Sequence, residues 1–193
     1  VGSNWYQDGR HFSVYDPSTD TWQTLPDLPT RRMGTVAFAY EGKIHVVGGR
    51  YYDAGYSSVT THEIFDPSTS TWSTGSPAIL ARGAAAGGWS NGEFIINGGY
   101  HEDSIAAAET FAYNPATDTW RMCGNSTVGK IYQCSANVDG ELFFVGGVDR
   151  NNTYLDVNEL YDSFLDFGVG AWSARAEIPT TREIGHAVVT LNN

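Results

Sequence analysis

The 193-residue chain has little of what several classes of protein require. No stretch approaches the ~20 consecutive apolar residues of a bilayer-crossing helix, so no membrane insertion is expected. Basic charge is scarce: 11 Lys and Arg stand against 22 Asp and Glu, for a formal net charge of −11. Phosphate backbones and anionic lipid surfaces attract positive charge, which makes nucleic acid and anionic membranes poor partners. The acidity itself is read as a source of solubility. Cysteine is limited to Cys123 and Cys134, separated by ten residues. Two cysteines are no disulfide framework, and the reading is a pair of partly buried thiols. There is no phosphate-cradling loop, no cysteine-based metal motif and no embedded nucleophile motif, so no catalytic residue, metal or cofactor is expected. The five histidines, His11, His45, His62, His101 and His186, show no metal-ligand spacing. His45 lies in a strand where other repeats carry Phe and Ile, which makes it structural. No signal peptide is visible, but the chain begins at Val1, so the compartment stays open between cytoplasmic and secreted. The glycosylation patterns at Asn125 and Asn151 occur about as often as composition alone produces and do not decide it.

What is present is glycine, 22 residues of it, together with 13% aromatics, 41% hydrophobic residues and only 17% charged ones. This is a globular composition rich in tight turns. The glycines and aromatics are periodic. Glycine pairs begin at positions 48, 98 and 146, with Gly2 in the equivalent place, and tryptophans fall at 22, 72, 120 and 172. Before each tryptophan comes an aromatic-Asp-Pro type turn: Tyr15-Asp16-Pro17, Phe65-Asp66-Pro67, Tyr113-Asn114-Pro115 and, without the proline, Tyr161-Asp162-Ser163. The tryptophan spacings of 50, 48 and 52 suit a propeller blade or a long solenoid unit per repeat.

Within each period the pattern predicts four short strands. Thr35–Tyr40 and Lys43–Val47 flank Glu41-Gly42. The same arrangement recurs around Asn91-Gly92 and Asp139-Gly140. An Xaa-Gly pair between apolar runs reads as a hairpin. A third strand ends at the aromatic-Asp-Pro turn, where proline favours extended backbone before it. The fourth strand carries the tryptophan.

This constellation resembles the kelch-repeat β-propeller family, over nearly the whole chain. The resemblance implies an all-β fold of four-stranded antiparallel blades. Its repeats run roughly 1–30, 31–80, 81–128, 129–180 and, incomplete, 181–193. Residues 1–193 are read as a single partial propeller, with three complete blades plus strands of flanking blades. Gly2-Ser3 in place of a glycine pair, Ser163 in place of proline and the longer 163–171 stretch depart from the motif. Kelch propellers usually close with five to seven blades. An unclosed one exposes strand edges, so the remaining blades are expected from the rest of a longer chain or from a second chain.

Counting back sixteen residues from each glycine pair gives Arg32, Arg82 and Lys130, with Glu183 and Arg182 at the fourth copy and Arg31 beside Arg32. In kelch domains that recognise peptides, arginines here line the mouth of the central channel. The implied site is a basic ring holding a carboxylate-bearing protein or peptide through forked hydrogen bonds. The competing reading is that these cations pair with neighbouring Asp or Glu and tie adjacent blades together. The loops after the glycine pairs share that face and offer Tyr51, Tyr52, Tyr56, Tyr100, His101, Asp149 and Arg150 as contact residues. The regular tryptophans and turn aromatics are read as packing between blades. The function implied is a non-enzymatic binding module for a protein or peptide. The alternative is a portion of a secreted kelch-type enzyme or glycan-binding propeller, sugar-acid processing or similar to the copper radical oxidases, for which Tyr100-His101 supplies a single Tyr-His pair.

Overall fold

The structure is a computed structural model that describes residues 9–52, 55–101, 105–165 and 168–180. Blade I comprises β1 (Phe12–Asp16) and β2 (Thr21–Leu25). Blade II holds β3 (Val36–Tyr40) and β4 (Lys43–Val47), a small outlying hairpin of β5 (Arg50–Tyr52) and β6 (Tyr56–Ser58), then β7 (His62–Asp66) and β8 (Thr71–Thr74). Blade III is β9 (Ala86–Ser90), β10 (Glu93–Asn97), β11 (Thr110–Asn114) and β12 (Thr119–Cys123). Blade IV is β13 (Cys134–Val138), β14 (Glu141–Val145), β15 (Asn158–Asp162) and β16 (Ala171–Ala174). Blades II, III and IV are each a four-stranded antiparallel meander, so the expected all-β partial propeller with three complete blades is what forms. The calls on Gly2-Ser3 and on the closing strand from Gly185 lie outside the described residues.

The turns follow from the residues placed in them. Glu41-Gly42, Asn91-Gly92 and Asp139-Gly140 all have positive φ at both positions, the hairpin turn whose twist matches that of the strands. At the other connection the aspartate or asparagine of the motif accepts a hydrogen bond from the backbone two residues on. Asp66 Oδ1 takes Ser68 N at 2.9 Å and Asn114 Oδ1 takes Ala116 N at 3.0 Å. Blade IV keeps this bond without the proline: Asp162 Oδ1 accepts from Phe164 N at 2.9 Å.

The core lies between blades. Along β10, Phe94 and Ile96 face blade II, with Val36, Phe38 and Val47, while Ile95 faces blade IV, with Leu142 and Phe144. A strand covered on both sides reads as a continuous apolar run, which is why Phe94-Ile95-Ile96 does not alternate. Each repeat tryptophan stacks on the turn aromatic opposite it in register, as in Phe65↔Trp72, Tyr113↔Trp120 and Tyr161↔Trp172. Trp72, Trp120 and Trp172 also donate their indole N–H groups to carbonyls of the preceding blade's trailing segment, at Pro26, Ser76 and Gly124 respectively. The aromatic ruler of the sequence is therefore an interblade fastening.

A second fastening sits nearer the axis. The backbone N–H of Gly49 donates to the Arg82 carbonyl at 2.7 Å, and Gly99 N–H to the Lys130 carbonyl at 2.9 Å. A Cβ on Gly48 would lie 2.5 Å from the Arg82 oxygen, and one on Gly98 would lie 2.4 Å from that of Lys130. The first glycine of each pair is required by this close approach as well as by its positive φ.

Candidate functional site at the glycine-pair loop face

The segment leading into each blade carries the cations singled out in the sequence. Arg32 is enclosed. Its Nη1 donates to Glu63 Oε2 at 2.5 Å and to the Thr30 carbonyl at 3.2 Å, and its Nη2 donates to the Val46 carbonyl at 3.1 Å. Thr30 Oγ1 fills the other Glu63 oxygen at 2.6 Å. Blade IV repeats the arrangement: Lys130 Nζ pairs with Glu159 Oε2, while Thr127 gives both its N–H and its hydroxyl to Glu159 Oε1. In blade III, Arg82 Nη2 reaches Glu109 Oε2 at 3.0 Å. Glu63 and Glu159 occupy the same register position, opposite Val46 and Phe144. Blade III has Phe111 there, and Glu109 serves from two residues earlier, with its side chain 39% exposed.

These three side chains are 1%, 3% and 0% exposed, so the open basic ring expected from Arg32, Arg82 and Lys130 is not present at the surface. Burial lowers the proton affinity of all three, and at the two arginines the paired glutamate opposes that shift. The pairing with glutamate that the competing expectation held is present at all three cations, but not as a tie between blades. Each glutamate stands in the same blade as its cation, so the pairs anchor a blade's leading segment to its own third strand. The backbone carbonyls of Arg82 and Lys130, not their side chains, contribute to the tie between blades. Arg182 and Glu183 fall outside the described residues. Arg31 is exposed.

The loops present a different surface. β5 and β6 form a projecting hairpin on which Tyr51 is half-buried. Tyr52 ends β5 opposite Tyr56, and neither side chain is described. Arg50 lies over the Tyr100 ring at 3.9 Å, and Tyr100 meets Tyr132 edge-on at 5.6 Å, a chain of stacked groups running across three blades. His101 is half-buried beside them, its backbone N–H donating to Ile105. Asp149 is turned into its own loop, where its Oδ1 accepts from the N–H groups of Asn151 and Thr153, each at 2.8 Å. Those bonds, Thr153 first, hold its carboxyl below the usual range. Arg150 is exposed.

One arrangement was not anticipated. His45 and His62, seventeen residues apart, meet in blade II, with His45 Nδ1 and His62 Nε2 at 2.9 Å. His62 Nδ1 lies 3.0 Å from the Ser76 carbonyl and must donate to it. Its Nε2 is then the acceptor and His45 Nδ1–H the donor, with both rings neutral. Burial pushes His45 down to about 4, with the neighbouring His62 adding to the shift, and burial also lowers His62. The available signal was strand register, since His62 pairs with Val47 two residues beyond His45. Among the described residues no group of three or more His, Cys, Asp or Glu is gathered as metal ligands would be.

The meandering blades packed face to face, inner strand beside inner strand, define an antiparallel β-propeller. No family model matches the chain. Over 80% of its length it is 27% identical to Kelch-like protein 38 from Homo sapiens, and over 90% it is 27% identical to Kelch repeat and BTB domain-containing protein 8 from Rattus norvegicus. These matches cover 27% and 28% of the two relatives, so the chain spans little more than a quarter of their length. Among solved structures, that of YjhT superposes with a TM-score of 0.71 at 16% identity, covering 83% of this chain and 56% of the other. The chain is thus similar to kelch-repeat proteins over most of its length, and its fold is that of a kelch-type β-propeller.

Proposed function

We propose that the chain is a recognition unit for a protein or peptide partner and reads it with the loops that follow the glycine pairs. One observation carries this reading. The scaffold is repeated blade after blade, the cations that lead into its blades are paired internally, and the loop face differs from repeat to repeat, with Arg31 and Arg150 exposed there and Tyr51 and His101 half-buried. Tyrosine and arginine on a rigid base suit an interface anchor. With Arg32, Arg82 and Lys130 neutralised by glutamates, preference for an acidic segment rests on Arg31 and Arg150. The kelch names of the relatives agree with a protein-binding role.

The test is affinity capture from lysate with wild-type protein and with a Tyr51→Ala/Arg31→Glu/Arg150→Glu variant, read by quantitative mass spectrometry. These side chains are at least partly exposed, so the variant should unfold at the wild-type midpoint. Its specific partners should fall about tenfold or more. Full retention of every partner would refute the loop-face reading.

A further inference from the structure

The end of the blades away from the glycine pairs carries a second surface. Tyr161 to Trp172 spans eleven residues where Phe65 to Trp72 and Tyr113 to Trp120 each span seven. The longer turn lifts apolar side chains into solvent: Phe164 is 74% exposed and Leu165 is 51% exposed. Phe164 forms one lip of a hollow of about 390 Å3 between the hairpin ends of blades III and IV. Its floor includes the Ser90 and Ser163 hydroxyls, 3.1 Å apart and buried, and its rim holds Asp139, Glu141 and Asp162.

The repeat supplies an internal comparison for those carboxylates. In blade II the residue after the hairpin glycine is Lys43, and it pairs with Asp66 at 3.6 Å on the neighbouring strand. In blade III it is Glu93, held in a fork by Arg121 at 2.5 to 3.1 Å. In blade IV it is Glu141. Leu142 pairs with Tyr161, so Glu141 and Asp162 end adjacent strands side by side. Two like charges in that position repel. The counterpart of Arg121 here is Ser173, and among the described residues no cation forms an ion pair with Asp139, Glu141 or Asp162. Blade IV thus combines uncompensated negative charge with an exposed aromatic lip, each of which blades II and III avoid at this end.

We propose that this hollow docks a segment of a partner protein in which an apolar side chain sits next to lysine or arginine. The apolar group would pack against Phe164 and the cation would take the place that Lys43 and Arg121 hold in the other blades. This surface lies at the opposite end of the blades from the glycine-pair loops and does not depend on the reading proposed for them.

The test uses the full chain and fluorescein-labelled hexapeptides alternating Lys or Arg with Leu or Phe, read by fluorescence polarisation up to millimolar protein. Matched peptides with Glu for the basic residues, or Ser for the apolar ones, are the controls. Saturable binding of the basic-apolar peptides is expected, weakened by salt and by at least about tenfold in both Phe164→Ser and Glu141→Lys. Glu141→Lys recreates the Lys43–Asp66 arrangement, so it should raise the unfolding midpoint while removing the binding. Absence of saturable binding, equal binding of the control peptides, or binding that survives both substitutions would each overturn the proposal. So would a wild-type dimer by sedimentation that Phe164→Ser dissociates, since a second copy of the chain would then be the occupant.

Discussion

Arg32 and Glu63 are the most completely enclosed charges of blade II, and removing one would strand the other. Arg32→Ala is expected to cost about 3–5 kcal/mol of stability, because the Glu63 carboxylate would keep only Thr30 for company. Arg82→Ala should cost clearly less, since Glu109 is partly open to water. Urea unfolding of the two variants orders them. The His45–His62 pair gives a pH dependence of definite sign. A buried imidazole whose affinity for a proton is depressed contributes stability above its ordinary value of 6.5, and loses it as pH falls toward the folded value of about 4. Lys43 and Arg32 reinforce that depression and Asp118 opposes it. Stability should therefore decline as pH falls from 6.5 toward 4 by up to about 1.4 kcal/mol per pH unit for His45, with the lowered His62 adding a loss of the same sign. The double variant His45→Phe/His62→Thr, which installs Phe143-like and Thr110-like residues, should flatten that slope in urea titrations across the window.

At the level of the element, two glycines with nearly the same backbone separate conformation from crowding. Gly92 has φ +78° and nothing within 4 Å of an added Cβ, whereas Gly98 has φ +71° and the Lys130 carbonyl 2.4 Å away. Gly92→Ala is expected to cost about 1 kcal/mol from backbone strain alone. Gly98→Ala should cost several times that, because either the blade III–IV bond from Gly99 or the whole leading segment must shift. Thermal unfolding of the pair decides it. The strands, both classes of turn and the interblade role of the aromatics were legible in the sequence, because each depends on neighbours within a few residues. The fate of Arg32, Arg82 and Lys130 was not. Their partners lie 31, 27 and 29 residues further on, and which side of a leading segment turns inward is set by the third strand. Glutamates recurring at that distance were the available sign. They were easy to overlook because blade III shifts its own by two positions.

Across the whole molecule, the two surfaces at opposite ends of the blades have opposite character. The loop face carries tyrosine, histidine and Arg31 and Arg150, while the hairpin end of blade IV carries carboxylates and Phe164. A partner held at one end leaves the other accessible, so loop-face and Phe164 substitutions should affect separate sets of ligands. Capture experiments with each variant would show whether those sets are disjoint. The thiols add no staple to this frame. Cys123 closes the outermost strand of blade III and Cys134 opens the innermost strand of blade IV, and neither is bridged. Unfolding should therefore be insensitive to reductant.

The tryptophan fastening has one more consequence. At the junctions of blades II with III and III with IV the indole comes from the later blade and the carbonyl from the earlier one, and the glycine-pair bond runs the other way, from the earlier blade's N–H to the later blade's carbonyl. Both junctions are thus heterologous, with two unlike surfaces meeting in a fixed polarity at two different radii. Two bonds at separate radii hold the angle between successive blades as a door is held by two hinges, and repeating that angle bends the chain steadily around one axis. A blade inserted or deleted as a whole repeat would present the same donor surface and the same acceptor surface to its neighbours. The unit that evolution can duplicate here is consequently one period of the sequence, cut anywhere, provided the glycine pair and the tryptophan stay in phase.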